Sequence, residues 1–408
     1  TEQPIFNPAN HEDCVGSVTS PADNAWDNIL DTAFTAAHTA QKSWNRLGGS
    51  GRAEVLRACA DALEAASVEL TSLLIREAGK THDDCIAEIR EAVDFCRYYA
   101  TEAEAKFTRA MRLPGPTGEE NWLSLSGRGV FVCISPWNFP LAIFTGQIMA
   151  ALAAGCGVVA KPADQTPIIA SLAVKLFIKA GVPADLLHLV IGGPALGAKL
   201  VSHKGTSGVA FTGSTATARK INMALAERDG PILPLIAETG GQNGMVVDST
   251  ALTEQVVDDA LLSAFGSAGQ RCSALRVLYV QDVVADRVIA MLKEALAERV
   301  IGNPADLVTD IGPIIDKAAL TRLQEHVADM EKRGKLIAKG TLADGTPQGT
   351  YLVPHIFEID HIDQIGGEKF GPVLHVIRFS AKNIAGVISE ITSTGYGLTF
   401  GVHSRLED

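Results

Sequence analysis

The sequence predicts an α/β protein in which parallel sheets, covered by helices on both faces, are built in two successive units. Three observations carry this. The chain has 408 residues, is 47% hydrophobic and contains 38 glycines and 18 prolines, a length that accommodates two or three domains and a composition that suits a soluble globular fold. From about residue 130 short apolar runs alternate with helix-length periodic segments. Those runs are continuously apolar, as strands buried on both faces must be.

Residues 22–109 read as long helices rich in Ala, Leu, Glu and Arg, with "GGSGR" (48–52) breaking the first pair and Gly79 closing the segment 67–80. In the next helix (85–107), Cys85, Ile89, Ala92, Cys96 and Tyr99 share one face, which makes both cysteines core residues. Around 113–131 the period changes, and Gly127 and Gly129 flank short strands and a hairpin. Strand then alternates with helix: "GVFVCIS", a helix from Leu141, "GVVAKPA", a helix closed by Gly181, "LLHLVIG", "ALGAKLVSH", "TSGVAFTG" and "STATARKINMALAE". Repeated crossovers of this kind make a parallel sheet. Around 235–248 the pattern restarts. Strands near 244–248 and 275–280 enclose a helix starting near Leu252, a helix at 283–299 follows, and the second unit ends near Arg378.

Thirty-five basic residues against 47 acidic ones give a net charge of -12, which disfavours binding to nucleic acid or to an anionic membrane. The seven cysteines are odd in number and widely spaced, without a CxxC, and the ten histidines form no HExxH. Neither a disulfide framework nor a metal site is expected, and the setting is a reducing, cytoplasmic one. No secretory signal is visible in "TEQPIFNPAN". The uncharged run 141–160 is long, but three glycines and a preceding Pro-rich turn make it a buried helix leading into a buried strand rather than a membrane span.

Several segments have the make-up of chemical sites. Cys272 follows "GSAGQR"; Arg271 and nearby amides can stabilise a thiolate, although a small cysteine in a core has the same appearance. Glu238 in "AETGGQNG" is either a carboxylate whose burial tunes it as a general base or a strand-end residue facing water. Gly213 and Ser214 in "FTGST" stand between a strand and a helix, where amides can hold a phosphate. No GxGxxG follows an early strand. Lys161 and Asp164 in "AKPADQTP" can grip ribose hydroxyls or simply form a turn. Asn138 in "SPWNFP", between two prolines, can aim an amide at an oxyanion. Glu368 and Phe370 in "GGEKFGP" precede a strand and are candidates on the same footing.

Taken together, PWNFP, KPA, FTGST, ETGGQN, GQRC and EKFGP resemble the aldehyde dehydrogenase superfamily, in order and over nearly the whole chain. The wording of 113–148, 237–259 and 263–281 is most similar to the L-glutamate γ-semialdehyde (Δ1-pyrroline-5-carboxylate) dehydrogenase module of bifunctional proline utilization A proteins. The resemblance implies a Rossmann-type NAD-binding domain with its N-terminal helices over 1–237, and a catalytic domain over 238–408 that lacks its C-terminal part. It implies Cys272 as nucleophile, Glu238 as general base and Asn138 as oxyanion donor. Around the NAD cofactor it implies Lys161 and Asp164 at the adenosine ribose, Gly213 and Ser214 at the pyrophosphate, Glu368 and Phe370 at the nicotinamide ribose, and Trp137 among the contacts. Asp164 is shorter than the family's usual acid there, yet still repels a 2′-phosphate, favouring NAD over NADP. The implied reaction is oxidation of glutamate semialdehyde to glutamate through a thiohemiacetal and a thioester, with no metal. In that setting the chain is a fragment, an FAD-dependent proline dehydrogenase domain precedes residue 1, and the full-length protein is a homo-oligomer. Another acid aldehyde as substrate, or an NAD-binding module without turnover, are the alternatives; intact Cys272, Glu238 and Asn138 speak against the second. Glu238 also disfavours a CoA-acylating branch, because it directs hydrolysis.

Overall fold

A computed structural model of the chain describes residues 2–406. The chain divides into two compact units. One comprises Thr1–Ile5, Cys14–Ala78 and Cys85–Thr239, the other Phe6–Asp13, Gly79–Asp84 and Gly240–Asp408. The change of unit after Thr239 falls two residues from the boundary expected from sequence. The short segments 6–13 and 79–84 belong to the second unit although they lie within the sequence range of the first.

Two strands, β1 (Glu2–Asn7) and β2 (Asn10–Thr19), open the chain as a two-stranded sheet that the sequence patterns do not reveal. Four helices follow: α1 (Trp26–Arg46), α2 (Gly48–Ala65), α3 (Ser67–Ala78) and α4 (His82–Phe107). The break expected at "GGSGR" falls at Leu47 and Gly48, between α1 and α2. Gly48 alone turns the chain, at φ 74°, and the run forms the first turn of α2. Gly79, at φ 67°, ends α3 as expected. Cys85, Ala92 and Cys96 are fully buried on one face of α4. β3 (Met111–Leu113) and β4 (Asn121–Leu123) form an exposed antiparallel hairpin.

The first unit's main sheet contains β5 (Val130–Ile134), β6 (Gly157–Lys161), β7 (Leu187–Leu189), β8 (Thr206–Thr212) and β9 (Leu235–Glu238), in the order β7-β6-β5-β8-β9 and parallel throughout. The strands alternate with α5 (Ala142–Ala153), α6 (Pro167–Lys179), α7 (Pro194–Ser202) and α8 (Thr215–Ala226). β9 closes this sheet, so the restart read near 235 begins after it. Side chains of successive strand residues enter different cores. Val130, Val132 and Val159 pack with α1, α7 and α8, whereas Cys133, Val158 and Ala160 pack with α2 to α6.

The apolar helix α5 is held at both ends by side chains of the preceding helical layer. At its start Glu88 accepts from the amides of Leu141 (2.9 Å) and Ala142 (3.2 Å). At its end Trp44 donates to Leu152 O (2.9 Å), Arg52 to Ala153 O (3.0 Å) and Gln41 to Gly155 O (2.8 Å). The acid stands at the positive end of the helix dipole and the base at the negative end, and orphan backbone groups are satisfied away from water. Glu77 repeats the device at α6, accepting from Ile168 N (2.7 Å) and Ile169 N (2.9 Å). Burial nevertheless pushes its carboxyl up to about 7, against those two amides. No helix among the described residues is long and apolar enough to cross a membrane.

The second unit contains β10 (Asn243–Val247), α9 (Thr253–Phe265), β11 (Leu275–Gln281), α10 (Asp282–Ala297), α11 (Lys317–Arg333), β12 (Lys335–Lys339), β13 (His355–Glu358), β14 (Val373–Phe379), α12 (Ile384–Ser393) and β15 (Phe400–His403). Its six-stranded sheet has the order β12-β13-β14-β11-β10-β15, parallel except for the β12–β13 pair. The central β11 runs through Val277, Leu278, Tyr279 and Val280, all without solvent exposure. The unit does not end near Arg378: α12 and β15 continue it, and β15 pairs with β10.

Candidate active site

In the first unit the candidate residues gather at the carboxyl ends of parallel strands. The chain runs from β5 outward to β6 and β7, then crosses back to β8 and β9. Strand order therefore reverses at β5, the position where open α/β sheets bind ligands. Gln147 ties this point together, donating to Ile134 O (3.2 Å) at the end of β5 and to Thr212 Oγ1 (3.1 Å) at the end of β8. The turn after β5 carries half-buried Trp137 and buried Asn138. β6 ends in Lys161, whose buried ammonium donates to Pro162 O (3.0 Å) and Asp164 Oδ1 (3.4 Å). Burial lowers the Lys161 pKa from its ordinary value, and Asp164 pulls the other way.

β8 delivers Gly213 and Ser214 to the start of α8. Ser214 is the N-cap, its Oγ accepting from Thr217 N at 3.2 Å. Gly213 is small for a local reason: a Cβ there would stand 2.6 Å from the Phe211 ring. The amides at the head of α8 suit phosphate oxygens, while the ammonium of Lys161 and the carboxylate of Asp164 suit hydroxyls. That donor set fits a nucleotide. Glu238, the last residue of β9, is exposed. Of the two readings the sequence leaves open, its exposure matches the strand-end carboxylate facing solvent, and its carbonyl accepts from Gly213 N at 3.1 Å.

In the second unit the candidates lie instead at the amino ends of the parallel strands β10, β11 and β14. The diglycine before β10 is required by close approach. A Cβ on Gly240 would lie 1.9 Å from Glu368 Oε2, and one on Gly241 would lie 2.8 Å from Cys272 O. Gly241 N donates to Glu368 Oε1 at 3.0 Å. Burial raises the Glu368 carboxyl above its ordinary value, while this amide and Arg276 oppose the rise. Buried Asn243 donates from Nδ2 to Cys272 O (2.7 Å) and Ala274 O (2.8 Å).

Cys272 is itself half-exposed at the end of an unusual loop. Ser267, Ala268 and Gly269 adopt φ values of 52°, 54° and 66°. Two successive non-glycine residues in the left-handed region cost about 1–3 kcal/mol each and persist only where surrounding contacts enforce them. Arg271, the cation next to Cys272 in sequence, has partners of its own. It forms an ion pair with Asp84 and donates from Nε to Ser267 Oγ at 3.3 Å, so that it anchors the loop. Burial pushes Asp84 up, but Lys80 and Arg271 outweigh it and hold the carboxyl below its ordinary range. The other cysteines contrast with Cys272. Cys59, Cys85, Cys96, Cys133 and Cys156 are buried and Cys14 is exposed on β2. Burial pushes Cys59 up to about 12 and raises Cys96, Cys133 and Cys156 as well. Among the described residues no cluster of His, Cys, Asp and Glu is arranged to hold a metal ion.

Sequence patterns alone miss Asn243, Arg276 and Asp84. Asn243 closes the ETGGQN segment, and its position as the first residue of an apolar strand is the one signal that marks it. The pairing of Asp84 with Arg271 leaves none.

Known proteins resemble this chain throughout its length. It is 44% identical over 415 residues to "Bifunctional protein PutA" of Klebsiella aerogenes, covering 100% of this chain and 30% of that protein. It is 34% identical to "1-pyrroline-5-carboxylate dehydrogenase" of Geobacillus sp. (strain WCH70), covering 98% of this chain and 77% of the relative. The crystal structure of a 1-pyrroline-5-carboxylate dehydrogenase from Thermus with bound NAD superposes with a TM-score of 0.93 at 30% identity, covering 100% of this chain and 78% of that one. The sequence profile of the aldehyde dehydrogenase family matches residues 1–408, and with these relatives it establishes that the chain belongs to the aldehyde dehydrogenase family.

Proposed function

We propose that the chain carries out NAD-dependent oxidation of L-glutamate γ-semialdehyde to glutamate, with Cys272 as nucleophile. The observation that carries this reading is the treatment of one cysteine. The Cys272 carbonyl is clamped by Asn243, the preceding loop is held in a strained conformation, and the side chain stays half-exposed while five other cysteines are buried. A positioned, accessible thiol on a fixed backbone is what an addition reaction requires. The identity to 1-pyrroline-5-carboxylate dehydrogenases supports the choice of substrate.

In this mechanism the Cys272 thiolate adds to the aldehyde carbon. The amide of Asn138 and the backbone N–H of Cys272 donate to the resulting oxyanion. NAD, when bound, accepts a hydride; the residues that would hold it are Lys161, Asp164, Gly213 and Ser214, with Trp137, Glu368 and Phe370. Oxidation of the Cys272 adduct gives a thioester. Glu238, in its carboxylate form, takes a proton from water, the hydroxide attacks the thioester, and glutamate leaves as the thiol is regenerated. The solvent-facing position of Glu238 suits exchange of that proton with bulk water. The names of the relatives, a bifunctional protein and proline utilization A, support a second activity that acts on proline elsewhere in the whole protein.

The test is NADH formation with glutamate semialdehyde against a panel of simple aldehydes, for the parent and for Cys272→Ala. Selective turnover of the semialdehyde, abolished by the substitution, is expected. Equal rates with simple aldehydes would overturn the substrate, and undiminished turnover by the variant would overturn the nucleophile.

A further inference from the structure

Arg276, near the start of β11, is 1% exposed, and its guanidinium is among the largest fully buried groups of the protein. Its acceptors among the described residues are three main-chain carbonyls. Nη1 donates to Gly269 O at 2.8 Å and Gly371 O at 3.1 Å, and Nη2 donates to Arg271 O at 2.9 Å. Two of these carbonyls belong to the loop that ends in Cys272. The third lies just beyond Glu368 and Phe370, and the Phe370 ring is 5.5 Å from the guanidinium carbon. The two segments meet so closely that a Cβ on Gly269 would stand 2.3 Å from Gly371 O.

A guanidinium bonded only to carbonyls remains a net cation in a low-dielectric interior, a costly arrangement unless the charge has a use. Burial lowers Arg276 to about 10, and the groups whose charge opposes that fall are Glu368 and Cys272. Arg271, the cation adjacent to Cys272 in sequence, is already committed to Asp84. The strained residues Ser267 and Ala268 also need enforcement, and the bonds from Arg276 to Gly269 and Arg271 supply it immediately downstream.

We infer that Arg276 is a positioning residue for the reaction: one buried cation locks the Cys272 loop to the Glu368–Phe370 segment and favours the thiolate of Cys272. This rests on Cys272 being the nucleophile. It assigns two separable properties to the side chain. The planar fork sets geometry, and the charge sets thiol ionisation.

The experiment uses the intact protein. The rate of Cys272 alkylation by iodoacetamide is followed by mass spectrometry as a function of pH in the parent, Arg276→Met and Arg276→Lys, alongside kcat and KM for NAD. In Arg276→Met the midpoint of alkylation should rise by about one pH unit, making labelling roughly tenfold slower near neutrality. Arg276→Lys keeps the charge but not the fork, so the midpoint should stay near the parent value while KM for NAD rises. A purely structural role would lower stability without moving the midpoint. Arg276→Met with a parental circular-dichroism spectrum and an unmoved midpoint overturns the assignment. Where Arg276→Met does not fold, Arg276→Gln, which keeps a hydrogen-bond donor without the charge, decides: a midpoint raised by about a unit upholds the inference, and a parental midpoint overturns it. Failure of the underlying reading is distinct, because it shows as undiminished NADH formation by Cys272→Ala whatever Arg276 does.

Discussion

Asn243→Asp changes two atoms' chemistry and almost no volume, and it should unfasten the Cys272 loop. Asn243 is 4% exposed and donates to the carbonyls of Cys272 and Ala274, while its Oδ1 accepts from Thr399 N at 3.2 Å. The substitution keeps an acceptor for Thr399 and removes both donors. The Ala274 carbonyl, in a buried bond, loses its partner at a cost of about 2 kcal/mol; the Cys272 carbonyl, in a part-buried bond, loses about 1 kcal/mol. The sum is about 3 kcal/mol before the repulsion of a carboxylate facing two carbonyl oxygens. With a urea m-value of about 2 kcal/mol per M, the unfolding midpoint should fall by about 1.5 M at pH 8. Iodoacetamide labelling of Cys272 should change with it. The introduced carboxyl is better tolerated protonated, since its OH can donate to one carbonyl. Its pKa in the folded state is therefore raised, and the penalty should shrink as pH falls from 8 toward 6. A variant with parental urea midpoint and parental Cys272 labelling at pH 8 would show that Asn243 does not hold the loop.

Three further outcomes rest on the same geometry. His375 Nδ1 must donate to Arg276 O (3.0 Å), so its Nε2 accepts from His326 Nε2 (3.0 Å), and burial holds the two imidazoles down at about 4 and about 3. Both are neutral when folded, so their contribution is complete above pH 6.5 and is lost as pH falls toward 4, with a limiting slope of about 2.7 kcal/mol per pH unit; His326→Gln should flatten the dependence of the urea midpoint on pH. Glu238→Gln should leave the first NADH formed per site largely intact and slow every later turnover, so that stopped-flow traces show a burst, whereas unchanged steady turnover would exclude Glu238 as base. Asp164→Ala should lower the ratio of kcat/KM for NAD over NADP by about fivefold, by removing like-charge repulsion and freeing Lys161; an unchanged ratio would place discrimination elsewhere.

The alternation of buried strands and helices from Val130 to Glu238 was legible because each strand is a continuous apolar run between turn signals, a local property. The candidate site was legible as a set of motifs for the same reason: Lys161, Ser214 and Glu238 each mark the end, or lie just beyond the end, of such a run. The features that stayed hidden depend on distance along the chain. Nothing near Arg271 announces that Asp84, 187 residues away, takes its charge. The left-handed loop at Ser267 and Ala268 escaped because neither residue type favours that conformation. The glycine signal at 48–52 marked the break between α1 and α2 but not that its later residues start the second helix. The exposure of Glu238 was one of two readings left open, and only the position of β9 at the sheet edge distinguishes them.

The side chains that close both ends of α5 have a consequence for how the polypeptide can be interrupted. The β3–β4 hairpin and its connecting residues are almost entirely exposed, and Gly118 at its tip has open space around it. A protease that nicks the backbone there separates the donors and acceptors of the first helical layer, Gln41, Trp44, Arg52, Glu77 and Glu88, from the helices they cap. The two pieces should stay associated, because release would strand the start and finish of α5 and the start of α6 without partners. The first hundred residues thus complete the ends of helices that cover the sheet, and fragments divided at this hairpin should complement one another when co-expressed.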